Sequence, residues 1–193
     1  MLRPLYDWTM RLASTRNAPA VLAVVSFAES SVFPIPPDPL LVPMVLARRD
    51  RAWFFAAIST VASVLGGIVG YAIGALLFDT LGGWLIRVYG LGDSMETFRA
   101  AYNQYGALII LLKGFTPIPF KLVTIASGFA GYDLIPFILL SAVTRGARFF
   151  LTAALLRAYG DSIRIFIEKR LGLVTAGFLI VVVGGLLAVK FLA

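Results

Sequence analysis

The chain has 193 residues, 60% of them hydrophobic, with a mean hydropathy of +0.90 and a formal net charge of +7. A soluble domain of this length cannot bury that much apolar surface, so the composition indicates an integral membrane protein, folded as one domain over residues 1–193. Cysteine and histidine are both absent, which excludes disulfides and thiol chemistry and removes the commonest metal ligand and proton shuttle. A basic excess in such a chain reports topology first, and nucleic acid is not an expected partner.

The opening stretch, MLRPLYDWTMRLASTRNAPA, has no short apolar core ending in a small-residue cleavage site. It is expected to be retained as an interfacial helix carrying Tyr6, Trp8 and Arg11. Ala18 to Phe33 is apolar apart from Glu29 and a few small polar residues. A spanning helix needs ~20 apolar residues, so this one is short. FPIPPD, at Phe33 to Asp38, ends it, because proline lacks an N–H and clashes with the preceding turn. Leu40 to Ala47 is a second short apolar piece, followed by Arg48-Arg49-Asp50-Arg51. Two short helices around a break, with bases at both outer ends, predict a re-entrant hairpin that enters and leaves on one side. Ala52 to Phe78 is long enough to span. Its Gly66, Gly70 and Gly74 recur every four residues, with Gly67 beside them, and predict a face that lets another backbone approach closely.

Asp79 to Tyr105 is the most polar long segment and reads as a surface or interfacial loop with short amphipathic helices. Gly106 to Phe115 turns apolar, then breaks at Pro117-Ile118-Pro119. Leu122 to Ala130 is again short, stopped by Gly131-Tyr132-Asp133, and makes a second candidate hairpin. Leu134 to Leu156 spans, with Arg145 and Arg148 near its middle. Asp161 to Arg170 is charged and amphipathic, and Thr175 to Ala193 is a final span. This layout puts ten bases on one face (Arg3, Arg11, Arg16, Arg48, Arg49, Arg51, Arg157, Arg164, Lys169, Arg170) and three on the other (Arg87, Arg99, Lys190). The asymmetry places the N-terminus in the cytoplasm.

The tripeptides Pro34-Ile35-Pro36 and Pro117-Ile118-Pro119 are 83 residues apart. Each lies in a short helix, break, short helix unit followed by one span: residues 18–78, then 106–158, with a last helix over 172–193. The two hairpins enter from opposite sides, which makes an inverted repeat. Transporters use such pairs of interrupted helices around a midplane site. The expected fold is therefore all-α and membrane-integral, with two re-entrant hairpins, their spanning helices, an N-terminal interfacial helix and a C-terminal transmembrane helix.

Charges crowd the breaks. Glu29 and Asp38 flank the first, and Lys113 and Lys121 flank the second. Asp38 and Lys121 each follow their tripeptide by two residues, with opposite sign. Arg145 and Arg148 share a helix face. Six such groups at membrane depth cost on the order of 15–20 kcal/mol if unpaired, at ~2.5–3.5 kcal/mol each. Pairing, water or snorkelling must relieve them. One reading is that ion pairs close the hairpins together. The other is a polar cavity whose two surplus positive charges suit an anionic group such as phosphate, with a carboxylate able to carry protons. The chain is read as a non-enzyme without cofactor or metal. It shows no nucleophile–base pair, no metal-ligand cluster and no phosphate-cradling glycine loop. Ser30, Ser31 and Ser127 read as isolated hydroxyls that bond within their helices.

PIPPDPLL after Glu29, the glycine-rich GGIVGYAIG, and KGFTPIPFKLVTIASGFAG resemble the DedA superfamily (VTT or SNARE-associated-like membrane proteins), in particular its small YqaA-like bacterial branch. The resemblance covers roughly Ala18 to Gly160. It implies two opposed re-entrant hairpins and movement of lipids across the bacterial cytoplasmic membrane, with undecaprenyl phosphate or a phospholipid as substrate. It assigns acidic roles to Glu29 and Asp38, and basic roles to Lys113 and Lys121. The family uses arginines there; this chain has lysines, spaced by eight. The leading expectation is a translocase for a phosphate-headed lipid, possible proton coupling included. A proton- or cation-coupled small-solute transporter and a non-transporting envelope-assembly helper are the alternatives. Homo-oligomerisation is left open.

Overall fold

A computed structural model of the chain describes residues 15, 17–31, 36–82, 84, 88, 92–112 and 119–169. The interfacial helix expected near the N-terminus, the helix expected over 172–193, and Pro34, Lys113 and Pro117 lie outside these residues. Among the described residues the fold is all-helical: α1 (Ala18–Ser31), α2 (Asp38–Ala47), α3 (Ala52–Leu77), α4 (Gly92–Leu112), α5 (Phe120–Ala130) and α6 (Leu134–Lys169). A 3₁₀ turn, Arg49–Arg51, leads into α3, and a π turn, Phe78–Gly82, leads out of it.

Proline and glycine set the short helices. Pro37 and Pro39 open α2, with Asp38 in its first turn, where an acid suits the positive helix end. Pro119 precedes α5 in an extended conformation, φ −59° and ψ 130°. Gly131 ends α5 at φ +69°, a left-handed position that glycine adopts without strain. There the Tyr132 N–H bonds the Ser127 carbonyl and the Gly131 N–H bonds the Gly128 carbonyl, which satisfies the last turn.

Two stretches, Arg49–Thr80 and Leu134–Gly160, are long and apolar enough to cross a membrane. Their outward faces are apolar: Val61, Leu65, Val69 and Leu76 on α3, and Ile135, Leu139, Val143, Leu151 and Leu155 on α6 are all exposed. Helix α3 is the hub. A Cβ at Gly66 would run into the backbone of Phe27 on α1, and one at Gly74 into the backbone of Ile125 on α5. Gly70 sits between Ser30 and Thr124. From the other side, Gly128 of α5 lies against the backbone of Tyr71 on α3. The glycine face predicted from the four-residue spacing thus receives two helices, not one.

These contacts also give directions. Phe27 meets Gly66 and Ser30 meets Gly70, so α1 runs parallel to α3. Phe137 meets Tyr71, Arg145 meets Ser63 and Phe150 stacks on Trp53, so α6 runs antiparallel to α3. Helix α4 runs parallel to α6, with Gly106 on Tyr132 and the Ile110 carbonyl accepting from the Thr144 hydroxyl at 3.2 Å.

Two polar segments are more regular than the sequence suggests. Asp93 to Tyr105, read as loop and short helices, continues without a break into Gly106–Leu112 as α4. Its buried residues, Tyr102, Gly106 and Ile110, recur every four positions, so one narrow stripe docks an otherwise polar helix. Asp161 to Lys169 likewise joins the predicted span, so α6 has 36 residues. At ~1.5 Å per residue it is about 54 Å long, well beyond the ~30 Å hydrocarbon thickness.

Candidate functional site

The charges named from the sequence converge on α6. Arg145 is 2% exposed. Its Nη2 donates to Glu29 Oε2 at 2.6 Å, and its Nε donates to Ser63 Oγ at 2.5 Å. Ser30 Oγ donates to the same Glu29 oxygen at 3.0 Å and lies 2.6 Å from Ser63 Oγ. The directions follow. Ser30 gives its proton to Glu29, so Ser63 must give its own to Ser30 and accept from Arg145. The result is a closed ring of four side chains joining α1, α3 and α6. Its acceptor is the Glu29 carboxylate and its cation is fully buried. Phe149 and Phe120 place their rings 4.7 and 4.9 Å from the guanidinium carbon, within cation–π range.

Ser63 stands eleven positions into α3, about 16 Å along the helix at ~1.5 Å per residue. That is near the middle of a ~30 Å hydrocarbon core. The seam extends one turn further. Ser26 and Ser59 repeat the Ser30/Ser63 offset, are fully buried, and have no hydrogen-bond partner among the described residues. Beyond them Leu22, Phe55 and Ala56 belong to the apolar cluster that closes that end.

The second pair is different. Arg148 Nη2 donates to Asp38 Oδ2 at 2.6 Å, but the side chains are 38% and 31% exposed. One nitrogen of the fork makes the bond to the carboxylate. Two charge pairs thus sit three residues apart on α6, one sealed and one open to its surroundings.

Glu29, Asp38, Arg145 and Arg148 are therefore brought together. Asp38, which matches Lys121 in the symmetry of the tripeptides, takes Arg148 as an ion-pair partner. Lys121 is half-buried on α5, directly after Phe120, and it is engaged in an interaction there. Thr124, one turn on, donates to the Lys121 carbonyl at 2.9 Å and reaches the Ser30 carbonyl at 3.4 Å, which ties α5 to the end of α1. Of the breaking prolines, Pro36 is half-buried just before α2, and Pro119 is exposed at the head of α5.

Ser31 and Ser127 do bond within their helices, to the Phe27 and Val123 carbonyls, but Ser127 is not isolated: its Oγ also lies 2.9 Å from the Tyr102 hydroxyl on α4. Ser30 does not stand alone; it links Glu29 to Ser63. Ser63 and the two phenylalanines were missed from the sequence. The available signal was the i, i+4 spacing of Ser26/Ser30 and Ser59/Ser63, which puts hydroxyls on the faces that α1 and α3 turn toward each other.

Residues 35–158 match the family model described as the VTT domain. An uncharacterized protein of Haemophilus influenzae is 35% identical over 170 residues, covering 88% of each chain. An uncharacterized protein of Histophilus somni is 34% identical over 151 residues, covering 78% of each chain. No solved structure matches.

Proposed function

The chain belongs to the VTT domain family, the family of the DedA membrane proteins, and from that premise we propose that it moves a phosphate-headed lipid, undecaprenyl phosphate or a phospholipid, across the bacterial cytoplasmic membrane. The observation that carries the reading is the unequal pair on α6. Arg145 is sealed, with Nε bonded to Ser63, Nη2 to Glu29 and two phenylalanine rings against its guanidinium. Arg148 is half-exposed, and its bond to Asp38 leaves N–H donors that have no partner among the described residues and suit a phosphate oxygen. The buried ring fixes α6 against α1 and α3, and so fixes where Arg148 is presented. Lys121 and Lys113 add positive charge from the second break, and Asp38 is the carboxylate that gives way when a phosphate arrives. Proton coupling would run through Asp38 or Glu29.

The inverted-repeat reading draws support from helix directions. The two candidate spans, α3 and α6, are antiparallel. Each carries the helix that precedes its break in parallel: α1 on α3, and α4 on α6. Re-entrant hairpins meeting from opposite sides, with the N-terminus cytoplasmic, fit that arrangement. We read the protein as a transporter and not an enzyme.

Purified protein in liposomes is expected to speed loss of a labelled lipid phosphate from the inner leaflet, read by quenching of the outward-facing label. Entrapped soluble phosphate is expected to stay inside. Flipping no faster than in empty liposomes across undecaprenyl phosphate and the common phospholipids overturns the proposal. Release of soluble phosphate without lipid movement favours a small-solute transporter.

A further inference from the structure

A second cluster of bases lies far from the charge pairs, where α3 begins and α6 passes Gly160. Arg48 and Arg51 are exposed, and among the described residues the ion-pair partner of Arg51 is Asp50, a loose contact at 3.9 Å to an acid that is 77% exposed. Arg49 lies with its guanidinium against the backbone of Gly160; a Cβ there would stand 2.8 Å from Arg49 Nε. Arg157 extends from α6 over the ring of Trp53, 5.7 Å from its centroid. Trp53 is 42% exposed and stacks on Phe150, centroids 5.9 Å apart and planes 18° apart. Among the described side chains, Arg48, Arg51 and Arg157 share this patch with one acid, Asp50.

The candidate span Arg49–Thr80 starts here, with Arg48, Arg49 and Arg51 around its first residues. The cluster therefore lies where a bilayer places its headgroups. Bases at such a level commonly report topology alone, as long side chains dispersed in water. This set is more ordered. Arg157 is held over an indole, Arg49 is seated in the notch that Gly160 leaves, and the Trp53/Phe150 stack offers an apolar wall directly beside the charges. Phosphate diester oxygens match the arginines, and glycerol and upper acyl carbons match the wall. Indole rings favour that interfacial level as well.

The geometry points to a binding site for an anionic phospholipid of the surrounding leaflet, formed by Arg48, Arg49, Arg51, Arg157 and the Trp53/Phe150 stack, separate from the central pairs. The bound lipid bridges the α2–α3 turn to α6 from outside. It is retained at the rim and is not cargo, because among the described residues the layer between the patch and the central pairs is the apolar cluster of Leu22, Phe55, Phe149 and Ala153.

The test uses the full chain with Trp8→Phe and Trp84→Phe, so that Trp53 is the one fluorophore, reconstituted in phosphatidylcholine vesicles. Phosphatidylglycerol or phosphatidylcholine spin-labelled high on the acyl chain is titrated as quencher. Phosphatidylglycerol is expected to displace phosphatidylcholine beside Trp53 several-fold more effectively. Arg51→Gln with Arg157→Gln should remove most of that preference, at roughly fivefold per arginine near a charged surface. Arg148→Gln should leave it unchanged, which separates this site from the transport reading. Equal quenching by the two lipids, or a preference that survives the double substitution, overturns the proposal. So does reversal by millimolar glycerol phosphate, which identifies a site for soluble phosphate.

Discussion

Arg145→Met lowers the unfolding temperature of the detergent-solubilised protein by on the order of 10 °C. The substitution keeps the apolar stem and removes the charge. It leaves the Glu29 carboxylate, 15% exposed, with the Ser30 hydroxyl and no cation. Breaking a buried pair from one side costs about 3–5 kcal/mol, and each kcal/mol moves the midpoint by roughly 2–4 °C at this size. Combining it with Glu29→Gln recovers most of the loss, because the uncompensated charge goes with its partner. The Ser30–Ser63 link remains in the double variant. A single variant as stable as the parent contradicts the closed ring.

Arg148→Gln has the opposite profile. Its pair with Asp38 is half-exposed, and such pairs contribute about 0.2–1 kcal/mol, so the unfolding temperature moves by no more than a few degrees. Lipid flipping falls by roughly 10- to 100-fold. That range is the loss of one charged hydrogen bond to a phosphate, about 1.5–3 kcal/mol, converted at 1.36 kcal/mol per decade. Arg148→Lys gives an intermediate rate. It keeps the charge and loses the planar fork that can hold a carboxylate and a phosphate together. Midpoints by thermal scan and rates by leaflet-specific quenching check the three together.

Much of this arrangement is readable from residue order. The glycines of α3 announce a close approach by their spacing, and the prolines mark both breaks. Glu29, Asp38, Arg145 and Arg148 stand out because charge at such depth is expensive. Partner choice is not readable in the same way. Symmetry between the two tripeptides relates Asp38 to Lys121 and says nothing of Arg148, because that pairing depends on which helix passes the first break, and that helix is α6. Its antiparallel run along α3 brings position 145 to Ser63 and position 148 to the head of α2. Nothing local to Ser63 marks it as a ligand of Arg145; its role comes from a contact across 82 residues. Helix α4 was hidden for a related reason. Its polar surface masks a stripe of three buried residues, visible only when Tyr102, Gly106 and Ile110 are read together.

The central claim is that the open pair serves an anionic headgroup while the sealed pair holds the fold. The most direct measurement is the flipping rate of Asp38→Arg combined with Arg148→Asp, alongside its unfolding temperature. The exchange restores the ion pair but moves the base from α6 to the start of α2. The account predicts a parental unfolding temperature with flipping still at least tenfold down. Recovery of both together would contradict it, and would make the Asp38–Arg148 pair a structural clasp like the ring beside it.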